Sequence, residues 1–192
     1  AIFHGRLSSL SNPTLHVEGN AELDLNRAEP LWHRFAPALK NAGLEGILAG
    51  QFAMRGLWND PTAWSLSAHL SGDPIIIQKR YRLDRLELQF HLQDKIIHIP
   101  YLHASPYQGT LGADLWMDLR KPEIPFGGKI FASNIDLNAL VQALDTKQKD
   151  FSGIAAFQTT LQGLWKSQES YTGSGSIDIR NGKLWQTNLF KA

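Results

Sequence analysis

Leu86 to Tyr101 reads LELQFHLQDKIIHIPY, and its alternation decides the fold class. Leu86, Leu88, Phe90 and Leu92 fall on one side of an extended chain, while Glu87, Gln89, His91 and Gln93 fall on the other. This is the pattern of a strand with one buried face. Asp94-Lys95 supplies a two-residue turn, so the return strand is expected to set Ile97 opposite Leu92, Ile99 opposite Phe90 and Tyr101 opposite Leu88. On the polar side His91 then meets His98. Further along, Leu111, Ala113, Leu115, Met117 and Leu119 alternate with Thr110, Gly112, Asp114, Trp116 and Asp118, which adds a strand with the same apolar stripe.

Working outward from this hairpin, turn residues punctuate the chain at Asn59-Asp60-Pro61, Gly72-Asp73-Pro74, Ser105-Pro106, Gly127-Gly128 and Asn181-Gly182. The spacing predicts a mainly β protein, an elongated, curved antiparallel sheet of roughly eleven to twelve strands. At Asn181-Gly182 a hairpin is expected, with Arg180 facing Lys183 and Ile179 facing Leu184. Two short helices complete the reading. Leu137, Leu140, Val141 and Leu144 follow helical spacing behind Asp136 as N-cap. Trp32, Phe35 and Leu39 suggest a second helix, kinked or broken by Pro37 and closed by Asn41 to Gly43.

The chain also repeats itself. Gly46 to Trp58, GILAGQFAMRGLW, returns as Gly153 to Trp165, GIAAFQTTLQGLW, and Asp-Leu-Asn precedes each copy at Asp24 and Asp136. The copies, around 24–58 and 136–165, point to one repeated β region over residues 1–192. The chain opens at Ala1 in a strand-like run, the start expected of a fragment or processed piece of a longer protein.

Composition narrows the function classes. Nineteen basic against eighteen acidic residues leave a net charge of +1, too little to neutralise many phosphates, so nucleic acid is not the expected partner. With no cysteine, disulfides and thiolate metal sites are excluded. Apolar residues at 43% suffice for a core, and no run is long enough for a membrane-spanning helix.

Gly173-Ser-Gly-Ser-Ile-Asp-Ile-Arg-Asn-Gly-Lys-Leu184, the strand Tyr107-Gln-Gly-Thr-Leu-Gly-Ala-Asp-Leu115 and the short helix from Ile135 to Leu144 resemble the C-terminal repeat region of the AsmA-like proteins of the Gram-negative envelope. The resemblance runs from about Gly46 onward. It implies a long sheet curled into a groove with an apolar concave face. It also implies a parent protein anchored in the inner membrane, extending into the periplasm and serving outer-membrane assembly or phospholipid transport between membranes. It implies no catalytic residues; no cofactor is expected. On this reading Leu86, Leu88, Phe90, Leu92, Ile97, Ile99, Tyr101, Leu111 and Leu115 are the candidate lipid contacts. Apolar stripes are ordinarily covered by another layer, so a closed core under helices or a facing sheet is the competing arrangement.

Other motifs carry structural readings. Seven histidines invite a metal site, yet beyond His91 and His98 no spacing fixes further ligands, and no metal is expected. Ser174 and Ser176 lack the surrounding pattern of a nucleophile elbow, and Gly173 and Gly175 are expected to permit close backbone approach. Asp24 and Asp136 read as caps rather than an acid–base pair. Trp58 and Trp165, matched by the repeat, are expected to pack where units meet. Two rival functions stand beside lipid binding: a scaffold that docks envelope proteins through open sheet edges, and a glycan-binding β module using exposed tryptophans.

Overall fold

The computed structural model describes residues 2–8, 13–27, 43–143, 152–165 and 167–183. In chain order its strands are β1 (Ile2–Ser8), β2 (Thr14–Asp24), β3 (Leu44–Glu45), β4 (Ile47–Leu57), β5 (Asp60–Gly72), β6 (Ile75–Ile77), β7 (Tyr81–Gln93), β8 (Ile96–Ser105), β9 (Thr110–Asp118), β10 (Pro125–Asp136), β11 (Ser152–Leu164) and β12 (Ser167–Lys183). A single helix among the described residues, α1 (Leu137–Ala143), lies between β10 and β11. The chain is thus mainly β, twelve antiparallel strands in one open sheet. The path β1-β2-β4-β5-β7-β8-β9-β10-β11-β12 is a meander, with β6 beside β7 and β3 beside β6. The helix expected around Trp32, Phe35 and Leu39 lies outside the described residues.

Local chemistry explains the hairpin that set the reading. Asp94 and Lys95 both take positive φ, 49° and 59°, the turn whose twist matches that of paired strands. Leu92 meets Ile97 and His91 meets His98, as the alternation predicts. Past this point the register departs from expectation. Gln89 pairs with Tyr101 and Leu88 with Leu102, because β8 carries an extra residue at Ile99-Pro100. Pro100 has no N–H for the ladder, and a bulge is where a strand tolerates it. One inserted residue turns Tyr101 onto the opposite face from Leu88.

Two expected turns are strand interiors. Gly127-Gly128 lies within β10, paired on both sides with β9 and β11. Asn181-Gly182 lies within β12, where Asn181 at φ 53° forms a bulge opposite Gly153, so Arg180 pairs with Ile154 and Lys183 with Ser152. Leu184, the expected partner of Ile179, lies outside the described residues.

The two related segments share local geometry. Gly46 and Gly153 take φ of 121° and 133°, open to glycine alone at low cost. The backbone N–H of Trp58 donates to Pro13 at 2.9 Å, and that of Trp165 to Ile124 at 3.0 Å. Asp24 Oδ1 accepts from the N–H of Asn26 and Arg27 in a turn, and Asp136 Oδ1 from Asn138 and Ala139, so Asp136 caps α1 as expected, while the helix expected behind Asp24 lies outside the described residues. These likenesses are local; the sheet itself is one continuous meander.

Register places nearly every large aliphatic side chain of the strands on one face. Val17, Leu48, Phe52, Leu70, Leu88, Ile97, Leu115, Ile130 and Phe157 lie there, while His16, Gln51, Ser67, Gln89, His98, Asp114, Lys129 and Gln158 occupy the other. Among the described residues, the apolar face is closed at one end. There Leu25, Ile75, Leu86 and Ala104 form a buried cluster, and Ala132, Ile135 and Ala155 form a second beneath Leu137 and Leu140 of α1. Leu111 touches both. The molecule exposes 13571 Å², about half as much again as the roughly 9,200 Å² of a compact monomer of this mass.

Candidate functional site

The alternation that builds the strands also builds the site: successive side chains point to opposite faces, and ten strands in register merge their apolar sides into one surface. Leu86 is buried in the cluster at the closed end. Leu88 and Leu111 are half-buried and pack against that cluster. Phe90, Leu92, Ile97, Ile99 and Leu115 are half-buried further along, toward the open end. Eight of the nine sequence candidates therefore share one face, by the register of β7, β8 and β9. The ninth, Tyr101, stands on the polar face, 42% exposed, its ring stacked with His103 at a centroid distance of 6.4 Å. The Pro100 bulge is the cause.

At the closed end the capping residues come from short or irregular segments. Ile75 belongs to the three-residue β6, Leu25 follows the end of β2, and Ala104 is the last residue but one of β8, beyond the Pro100 bulge. Alternation alone did not single them out, because none lies within a long striped run. Tyr107 packs beside Ile135, and burial raises its phenol above the ordinary value.

At the open end aromatic groups rim the face. Phe126 meets Trp165 edge-on at 5.8 Å and Tyr171 at 5.2 Å. Trp165 is 37% exposed and Trp58 61%, and among the described residues the sheet shows no junction between units for either to fill. Nearby, Arg120 Nε and Nη2 donate to the two carboxylate oxygens of Asp118, each at 2.8 Å. These side-chain bonds, joined by one from the Arg120 backbone N–H, hold the carboxyl at about 2 against an ordinary 3.8.

The polar face has its own relief. One depression of about 600 Å³ is lined by His4, Glu18, His69 and His91 among others, and one of about 520 Å³ lies over β9 to β12. His91 and His98 are cross-strand partners, and His98 Nε2 lies 3.0 Å from Asp114 Oδ1. Among the described residues, no group of three or more histidine or acidic side chains has the spacing to hold a metal ion. Gly173 and Gly175 let β12 approach β11 closely: an added Cβ would stand 2.5 Å from the carbonyl oxygens of Thr160 and Gln158. No helix among the described residues is long and apolar enough to cross a membrane. No protein-family profile, curated protein or solved structure matches this chain.

Proposed function

We propose that the apolar face of the sheet binds the acyl chains of a phospholipid, and that the chain is a non-enzymatic segment of a periplasmic envelope protein anchored to the inner membrane. The observation that carries the reading is the half-buried face itself, continuous across the strands and, among the described residues, plugged at one end by the two clusters and uncovered at the other. An apolar surface of this extent on a single sheet wants an occupant. Each methylene it takes from water contributes about 0.8 kcal/mol, so a modest length of track holds an acyl chain reversibly. The closed end would stop the chain tip, and the open end would leave a headgroup in water. The envelope setting, with its role in lipid transport or outer-membrane assembly, comes from the resemblance of Gly173 to Leu184 and Tyr107 to Leu115 to the AsmA-like proteins.

The test is native mass spectrometry of the protein after incubation with vesicles of palmitoyl-oleoyl phosphatidylethanolamine. The expected result is bound phospholipid in the wild type and in Tyr101→Asp, on the polar face, and loss of it in the Phe90→Asp, Ile99→Asp double variant, with circular dichroism showing all three folded. Lipid-free wild-type protein, or equal loss in Tyr101→Asp, would overturn the reading.

A further inference from the structure

The polar face over β9 to β12 is built differently from the rest of the sheet. Three cross-strand rows define it. His98, Trp116, Gly127, Gln162 and Thr172 form the first, and Asp114, Lys129, Thr160 and Ser174 the second. Gly112, Phe131, Gln158 and Ser176 form the third. The depression of about 520 Å³ spans the first two.

Trp116 is 41% exposed and lines this depression. Its indole leans over Gly127, where an added Cβ would stand 3.1 Å from the ring. The glycine thus leaves room for the indole close over the sheet while the ring stays exposed. Phe131, 52% exposed, covers Gly112 in the same way two rows further on, roughly 14 Å along the strands. Beside these aromatic platforms stand groups that together give and take hydrogen bonds. Asp114 accepts and is oriented by His98, Lys129 donates, and Gln162 does both in one plane. Thr160 Oγ1 lies 3.2 Å from Ser174 Oγ, a fixed hydroxyl pair at the wall.

We infer that this cleft is a saccharide-binding site, taking a short neutral oligosaccharide with one sugar ring stacked on Trp116. An indole face flanked by a carboxylate, an amide, an ammonium and paired hydroxyls matches the C–H face and vicinal diols of a pyranose. One negative and one positive side chain leave the cleft without net charge, which favours a neutral sugar over a phosphate or an acidic polymer. Trp116, Asp114, Lys129, Thr160 and Gln162 stand on β9, β10 and β11, interior strands whose backbone groups are committed to neighbours, so the middle of the cleft offers no edge to a peptide strand. Among the described residues Asp114 is the one carboxylate lining the cleft, and glycoside hydrolysis takes a carboxyl pair, so the inferred role is binding.

Isothermal titration of the whole chain with cellotetraose, maltotetraose and chitotetraose tests the inference. At least one should bind with a dissociation constant on the order of 1 mM, as suits an open cleft. Trp116→Ala should weaken that binding about tenfold. Gln162→Ala, an exposed position that should not perturb folding, should weaken it too, and Trp58→Ala should leave it unchanged. Absence of binding by all three sugars, or binding that survives both Trp116→Ala and Gln162→Ala, would overturn it. Because the cleft and the apolar face are opposite sides of the sheet, loss of sugar binding leaves the phospholipid result untouched, and the reverse.

Discussion

At the scale of single residues, the glycines of this sheet separate into two kinds. Gly50 faces the apolar side where the carbonyl of His69 comes against it, so an added Cβ meets backbone. Gly112 faces the polar side beneath the end of the Phe131 ring, a side chain 52% exposed rather than backbone. Gly50→Ala should therefore cost about 1–3 kcal/mol of stability, because two strands must part. Gly112→Ala should stay within about 0.5 kcal/mol. Urea unfolding of both variants decides it, and equal losses would mean that the ring over Gly112 is as rigid as a strand. Both residues read alike in the sequence, since what a Cβ would strike belongs to another strand.

Among the elements, β8 shows how one residue reassigns a face. Its first half obeys the alternation seen in Leu86 to Ile99, and the Asp94-Lys95 turn fixes that register by local geometry. Pro100 then adds a residue, and Tyr101 moves to the polar side while Leu102 and Ala104 take the apolar one. Leu86→Ala, in the buried cluster, should cost on the order of 2–5 kcal/mol. Tyr101→Ser should cost less than about 0.5 kcal/mol. A loss at Tyr101 comparable to that at Leu86 in thermal or urea unfolding would place the tyrosine back on the apolar stripe. The helix α1 is the contrasting case: Asp136 and the spacing of Leu137, Leu140 and Val141 are all local signals, and the element stands where they put it.

Over the whole molecule, stability is distributed unevenly. Both buried clusters sit at one end of the sheet, and among the described residues the last strand β12 is paired only with β11, its residues from Tyr171 to Asp178 exposed and Ile177 68% so. Hydrogen exchange should follow this gradient, since opening is cheapest where few apolar contacts must break. The amides of Leu86, Ala104 and Ala132 should exchange slowest, and those of Ser174 to Ile177 much faster. Uniform protection across the sheet would contradict the picture of an open, one-sided core.

The alternation from Leu86 to Ile99, the positive-φ turn at Asp94-Lys95 and the cap at Asp136 were settled by the sequence, because each depends on residues within a few positions of one another. Those features carry the fold class and the chemistry of the faces. The tertiary structure decided the rest: that Gly127-Gly128 and Asn181-Gly182 lie inside strands, that Tyr101 leaves the apolar side, that Ile75 and Leu25 close one end, and that Trp116, Lys129 and Gln162 share a cleft. Register between distant strands is set by ladder hydrogen bonds and bulges, and a single inserted residue exchanges the two faces of everything beyond it.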